Sequence, residues 1–198
     1  MKHDKNISRR GFLKFMGAGA ALSIVGCNGR GIAESVAPDA VDPGDMTYRM
    51  TPSTGDRVSI LGYGCMRLPT VKDDDGQDVI DQEEVNRSVD EALKGGVNYF
   101  DTSPAYCKGF SERAMGIALS RHPRQSYFIA TKLSNFNPST WPREKSIEMY
   151  RNSLRELRTD YIDYMLLHAV GQGGMENLHG RYLDNGMLDF LMAEREAG

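Results

Sequence analysis

The chain has 198 residues, with 24 Lys and Arg against 27 Asp and Glu, a formal net charge of −3 and a hydrophobic fraction of 40%. That is enough apolar material for one domain with a packed core. The near balance of charge, with no long basic block, argues against nucleic acid as a partner, and no apolar run reaches the roughly 18 residues of a membrane span.

The first residues read as a targeting segment. Ser8-Arg9-Arg10-Gly11-Phe12-Leu13-Lys14 resembles the twin-arginine export motif. A Gly- and Ala-rich apolar stretch over residues 15–26 fits the core of a signal peptide. Ile24-Val25-Gly26-Cys27 resembles a lipobox, in which cleavage precedes Cys27 and its thiol carries lipid. The expected partner is the twin-arginine export machinery, with membrane attachment through Cys27. The expected location is periplasmic, or anchored on the outer side of the inner membrane. Twin-arginine export moves folded proteins that often load a cofactor first, which points toward a redox enzyme. Residues 28–45, rich in Gly, Ala, Pro and Asp, read as a flexible linker. The folded domain is expected over residues 46–198.

Residues 46–60 predict a hairpin, with Thr47–Met50 and Arg57–Ile60 flanking the turn-rich residues 52–56. Residues 61–66 predict a short strand with two glycines, which permit close backbone approach. Lys72-Asp73-Asp74-Asp75-Gly76 reads as a solvated loop. Aligning Gly76 with the glycine of a calcium loop puts Val71 at the first ligand position, so that match fails. Residues 81–95 predict a helix capped by Asp81, with Val85, Val89, Ala92 and Leu93 on its apolar face. A strand over residues 97–100 follows and ends at Asp101. Tyr106 lies across the turn marked by Ser103-Pro104. A helix over residues 112–121, a strand over 127–130 ending at Thr131-Lys132, and a helix capped by Ser139 or Thr140 come next. Ile147, Tyr150, Leu154 and Leu157 are its expected inner face. A strand over residues 161–167 ends at His168, and Leu188, Leu191 and Met192 mark a last helix. His122 and His179 read as exposed loop residues, Cys65 and Cys107 as independent thiols, and Trp141 as a packing residue.

Strand and helix thus alternate four times, which predicts an α/β fold with a parallel sheet. Asp101, Lys132 and His168 all fall at C-terminal strand ends. They lie 31 residues apart (101 to 132) and 36 apart (132 to 168), about one strand–helix unit each. In a (β/α)8 barrel those ends meet on one rim, where active sites sit. The rival, an open doubly wound sheet, lacks support from any G-x-G-x-x-G after the first strand.

The residue types make chemical sense together. A tyrosine hydroxyl, with an ordinary pKa near 10, is a poor acid until a neighbouring ammonium favours its anion. An aspartate can fix and neutralise that lysine, and a histidine can donate to a carbonyl oxygen. Together they could protonate an oxygen while hydride reaches carbon.

At these residues the chain resembles the aldo-keto reductases. The matching pieces are residues 61–67, residues 96–103 with Tyr106, Ser111-Glu112, Ala130-Thr131-Lys132, and residues 160–163 running on to Leu166-Leu167-His168. The resemblance implies a TIM barrel closed at its base by the N-terminal hairpin, and reduction of small aldehydes and ketones with NADP(H) or NAD(H). It implies a catalytic tetrad of Asp101, Tyr106, Lys132 and His168. It puts Gly64, Cys65, Met66 and Arg67, with Asp101, beside the nicotinamide. No metal site is implied. An iron–sulfur cluster, which some exported relatives carry, would fall only in a later region. A full barrel takes roughly 250 residues, so residues 46–198 read as its first half, four β/α units of a C-terminally truncated reductase of uncertain activity. Two other readings stand beside it. One is a metal-dependent barrel hydrolase with Asp101 and His168 as ligands. The other is a non-catalytic exported lipoprotein that binds a partner.

Overall fold

The computed structural model describes residues 46–198. The signal peptide, Cys27 and the linker of the sequence reading lie outside the described residues.

The domain begins with the expected hairpin, β1 (Tyr48–Met50) against β2 (Arg57–Ser59), antiparallel. Its polar groups tie it to the start of the main sheet. The Ser59 amide donates to Asn98 Oδ1 at 2.8 Å, Asn98 Nδ2 donates to the Arg57 carbonyl at 3.0 Å, and the Tyr48 hydroxyl donates to the Gly96 carbonyl at 2.9 Å. Asn98 immediately precedes a strand, so the hairpin closes the N-terminal end of the sheet.

The main sheet has four parallel strands in sequence order: β3 (Tyr63–Gly64), β6 (Tyr99–Asp101), β7 (Phe128–Leu133) and β8 (Tyr164–Leu167). Sequential strands that pair in parallel, each followed by a helix, build the wall of a (β/α)8 barrel. The central strand β7 is buried at all six positions, as expected of a parallel strand covered on both faces.

Helices α1 (Gln82–Lys94), α2 (Ser111–Leu119) and α3 (Arg143–Glu156) cover the outer face. The expected cap is present, with Asp81 Oδ1 accepting from the Glu84 amide at 3.0 Å. Val85 and Val89, one turn apart on α1, meet Met115, Ala118 and Leu119 of α2 over Phe100 and Ile129 of the sheet. These side chains are at most 1% exposed. Each large one withdrawn from water contributes about 1.5–3 kcal/mol. α2 packs closely against the end of α3 because residue 116 is glycine. A Cβ there would stand 2.1 Å from the Glu156 carbonyl oxygen.

The structure extends or corrects the sequence expectations at five places. First, the loop at residues 72–76 is solvated as expected, and it also forms the turn of a second hairpin, β4 (Thr70–Lys72) with β5 (Asp78–Ile80). Asp73 Oδ1 accepts from the Asp75 and Gln77 amides and shapes that turn. Second, α3 starts after an extended Pro142, while Ser139 and Thr140 sit in a separate turn capped by Asn137. Third, Tyr161–Asp163 is not strand. The Asp163 carboxylate takes the Ile129 amide at 2.9 Å and Arg124 Nη2 at 2.6 Å, where a ladder bond would otherwise form. Fourth, a short helix, α4 (Gly174–Leu178), and a wider turn over His179–Leu183 follow β8, before α5 (Met187–Ala197). Fifth, His122 lies in a loop as expected but is half-buried rather than exposed, its Nε2 meeting Asp90 Oδ1 at 2.7 Å. Among the described residues no helix is long and apolar enough to cross a membrane.

Candidate active site

Three strands deliver the tetrad candidates to one rim. Asp101 is the last residue of β6, Lys132 lies one residue before the end of β7, and His168 directly follows β8. Backbone bonds continue past the strands and hold the rim in register. The Cys65 amide donates to the Asp101 carbonyl at 2.9 Å, Thr102 to Ala130 at 2.8 Å, and His168 to Leu133 at 3.2 Å. Tyr106 opens a tight turn after β6, its amide donating to the Ser103 carbonyl at 3.1 Å. The two residues after it, Cys107 (φ 50°) and Lys108 (φ 57°), both adopt the left-handed conformation that non-glycine residues disfavour. Two adjacent residues held this way fix the turn that presents Tyr106.

The side chains converge. The Lys132 ammonium pairs with Asp101 and also donates to the Thr102 carbonyl at 2.9 Å. Its nitrogen lies 4.8 Å from the centre of the Tyr106 ring. The Tyr106 and His168 rings meet edge to face with centres 5.7 Å apart. The sequence-expected tetrad is therefore one contiguous cluster.

Two residues that were not among the expected site residues hold the histidine. Ser134 Oγ lies 2.6 Å and Ser103 Oγ 3.3 Å from His168 Nδ1, and the two hydroxyls are 2.8 Å apart. The Ala105 amide donates to Ser103 Oγ at 3.1 Å. With hydrogens assigned along this network, Ser103 donates to Ser134 and Ser134 to Nδ1, which leaves Nε2 as the protonated, donating nitrogen. Burial, and then the charges of Lys132 and Arg181, push the His168 pKa below its usual value, against a weaker opposing pull from Asp101. The imidazole is thus neutral near pH 7. Ser134 stands two residues after Lys132, just past the end of β7, at the spacing that continues one face of a strand. That spacing was the one signal that could have found it.

The nicotinamide candidates separate. Gly64 pairs with Asp101 across β3 and β6, and a Cβ built on it would meet nothing within 4 Å. A flat ring can approach the backbone there, so Gly64 and Asp101 fit the reactive end of a nicotinamide cofactor. Cys65 does not present its side chain to that space. It is fully buried in the core, and its thiol turns to the Tyr63 carbonyl. Met66 and Arg67 line a different hollow of about 490 Å³, between the β4–β5 hairpin and the start of α2. A still larger hollow of about 580 Å³ lies near Ser120, Arg124 and Tyr127, before β7 begins and so away from this rim. Cys65 and Cys107 are both free thiols. Asp101, committed to Lys132, is a poor candidate for the metal ligand of a hydrolase.

A parallel sheet of consecutive βα units with its polar cluster at the C-terminal strand ends is the active rim of a (β/α)8-barrel protein. The chain belongs to the aldo/keto reductase family, whose pattern it matches over residues 60–173. It is 30% identical over 129 residues to L-galactose dehydrogenase of Arabidopsis thaliana, an alignment covering 64% of this chain and 39% of that protein. It is 34% identical over 113 residues to methylglyoxal reductase DkgB of Escherichia coli O157:H7, covering 56% of this chain and 36% of that one. Among solved structures, one from Pseudomonas aeruginosa assigned as an aldo-keto reductase superposes with a TM-score of 0.62 at 27% identity, covering 83% of this chain and 61% of that one. The thermostable aldo-keto reductase Tm1743 gives 0.52 at 27% identity, covering 62% and 43%. The chain spans less than two-fifths of the length of the two curated relatives named here.

Proposed function

We propose that this rim performs the proton-transfer part of NAD(P)H-dependent reduction of a small aldehyde or ketone. The observation that carries the reading is the Lys132 ammonium, buried against Asp101 and poised 4.8 Å from the Tyr106 ring. A reduced nicotinamide, held by Gly64 and Asp101, supplies the hydride when bound. Tyr106 gives its hydroxyl proton to the carbonyl oxygen as that oxygen gains charge. Lys132 stabilises the phenolate left behind, because opposite charges attract strongly at a partly dry site. Asp101 holds Lys132 in place and balances its charge. His168, neutral, donates from Nε2 to the same oxygen and orients it. Ser134 and Ser103 hold that tautomer.

Ser8–Lys14 and the lipobox at Cys27 support export by the twin-arginine route and lipid attachment outside the cytoplasm. Fractionation of cells after lysozyme treatment tests this, and an exclusively cytoplasmic product overturns it. The catalytic reading is tested by NADPH consumption with aldehydes. Tyr106→Phe should lower kcat by about 10²–10⁴, the usual worth of a general acid, with NADPH binding unchanged. A wild type that does not turn over, or a Tyr106→Phe variant that keeps its rate, overturns it. A chelator should leave the rate unaltered.

A further inference from the structure

Behind the tetrad lies a cation that the proposed chemistry does not use. Arg181, in the wide turn after α4, is 2% exposed. Its guanidinium donates from Nη2 to the His168 carbonyl at 2.7 Å and to the Tyr182 hydroxyl at 2.5 Å, and from Nε to Asn135 Oδ1 at 3.3 Å. Every one of these acceptors is neutral. Among the described residues no carboxylate pairs with it. Tyr182 in turn donates to the Leu133 and His168 carbonyls, so the network anchors the guanidinium where β7 and β8 end.

A buried, uncompensated cation is costly unless something neutralises it. Arg181 also lines a hollow of about 430 Å³ together with Phe136, Gln172, Gly173 and Asn177. The walls are an aromatic ring, two amide side chains and a glycine, with no acid among them. Phe136 joins this hollow to the reaction centre. The Arg181 Cζ sits 5.0 Å from the Phe136 ring centre, and that ring is 4.8 Å from the His168 ring centre. The guanidinium carbon thus lies no more than 9.8 Å from the imidazole centre.

We infer that this hollow is a carboxylate subsite, and that the substrate is an oxo acid whose carbonyl meets Tyr106 and His168 while its carboxylate meets Arg181. Nη1, the guanidinium nitrogen with no acceptor among the described residues, keeps its hydrogens for a carboxylate oxygen, a charge-assisted contact. Phe136 packs on the short apolar spacer between the two ends. The inference rests on the proposed reductase reading only for the carbonyl end, since the anion site stands on Arg181 alone.

The test begins with binding and needs no turnover. Trp141 is the only tryptophan in the chain, and a Cβ on Gly180, the neighbour of Arg181, would stand 2.6 Å from its ring. Its emission therefore reports on this corner. Pentanoate should shift that emission saturably, and methyl pentanoate should not. Arg181→Met should weaken pentanoate about ten- to a hundredfold, the loss of a charge-assisted contact. Gln172→Glu keeps the buried network intact and puts a competing carboxylate in the hollow, so it should weaken pentanoate by a similar factor even if Arg181→Met fails to fold. Equal response to acid and ester, or pentanoate binding unchanged in Gln172→Glu, overturns the subsite. A kinetic pair separates it from the reductase reading. If 5-oxopentanoate and pentanal are both inert while pentanoate still binds, the reductase reading fails and the subsite stands. If both are reduced with equal kcat/KM and pentanoate does not bind, the subsite fails and the reductase reading stands.

Discussion

Lys132 and Asp101 form a lopsided pair, and that asymmetry can be measured. The Lys132 side chain is 11% exposed and the Asp101 side chain 32%. Asp101→Ala strips the carboxylate and leaves an ammonium with only the Thr102 carbonyl for company. A buried charge that loses its partner costs about 3–5 kcal/mol. Lys132 retains one hydrogen bond and a little water, so about 3 kcal/mol is the expected loss. Lys132→Met removes the other partner, but Asp101 is one-third exposed and water solvates it. The loss there should be near the upper end for exposed pairs, about 1 kcal/mol. The double variant should recover most of the Asp101→Ala deficit, because the stranded charge is gone. Urea unfolding followed by Trp141 emission gives all three values, with a constant slope confirming two-state behaviour. Equal costs for the two single variants, or an Asp101→Ala cost under about 1 kcal/mol, would refute the claim that burial of Lys132 sets the energetics of the pair.

Other perturbations follow from the packing and the hydrogen bonds. Gly116→Ala drives a Cβ to 2.1 Å from the Glu156 carbonyl oxygen. It should cost about 3 kcal/mol or more, since backbone rather than a flexible side chain must yield; a loss under about 1 kcal/mol in urea would mean α2 and α3 separate freely. Glu112 is 1% exposed and accepts from the Thr131 hydroxyl at 2.5 Å, and burial raises its pKa. The folded state therefore holds this proton more tightly than the unfolded state, and stability falls as pH rises from the ordinary carboxyl range through the raised value. Glu112→Gln should flatten that decline and stabilise the protein at pH 7 relative to pH 4; a decline as steep as wild type would show that Glu112 is not its source. The depressed pKa of His168 acts in the opposite sense. The unfolded chain binds more protons, so this contribution is complete above about pH 6.5 and is lost as pH drops toward the depressed value. Ser134→Ala removes the donor to neutral Nδ1 and should raise the His168 pKa, read from its imidazole proton shifts; a fall would reverse the assigned tautomer.

The positions of the tetrad candidates were legible where strand ends announce themselves. Val97, Tyr99 and Phe100 mark a buried strand, and Asp101 can stand only at its end. The same logic located Lys132 and His168. Asp81 was legible because an N-cap is local. What escaped was held by contacts across the chain. Thr70–Lys72 and Asp78–Ile80 are three-residue strands with mostly exposed side chains, too short for a period of two to register. Tyr161–Asp163 carries the composition of strand, but Asp163 takes the Ile129 amide with its side chain. Cys65 sits beside the rim in sequence and faces the core in space. Nothing within several residues of Arg181 signals that it will lie under His168, since the connection closes only through α4 and the wide turn.

Placed together, these groups explain why the rim suits negative charge. Lys132 and Arg181 are two buried cations, Asp101 pairs with Lys132, and His168 is held neutral. At an effective dielectric near 20, a unit charge about 4 Å from an oxyanion is worth roughly 4 kcal/mol, so the balance of this cluster matters more than any single hydrogen bond. Asp101 cancels much of Lys132, whereas Arg181 stays uncancelled. The two ends of the cluster must then move His168 in opposite directions. Asp101→Ala removes the one charge that raises its pKa and should depress it further. Arg181→Met removes a charge that lowers it and should let it rise. One titration of the His168 resonances in both variants settles whether a shared field, rather than burial alone, keeps that imidazole neutral. Movement in the same direction in both would mean that it does not.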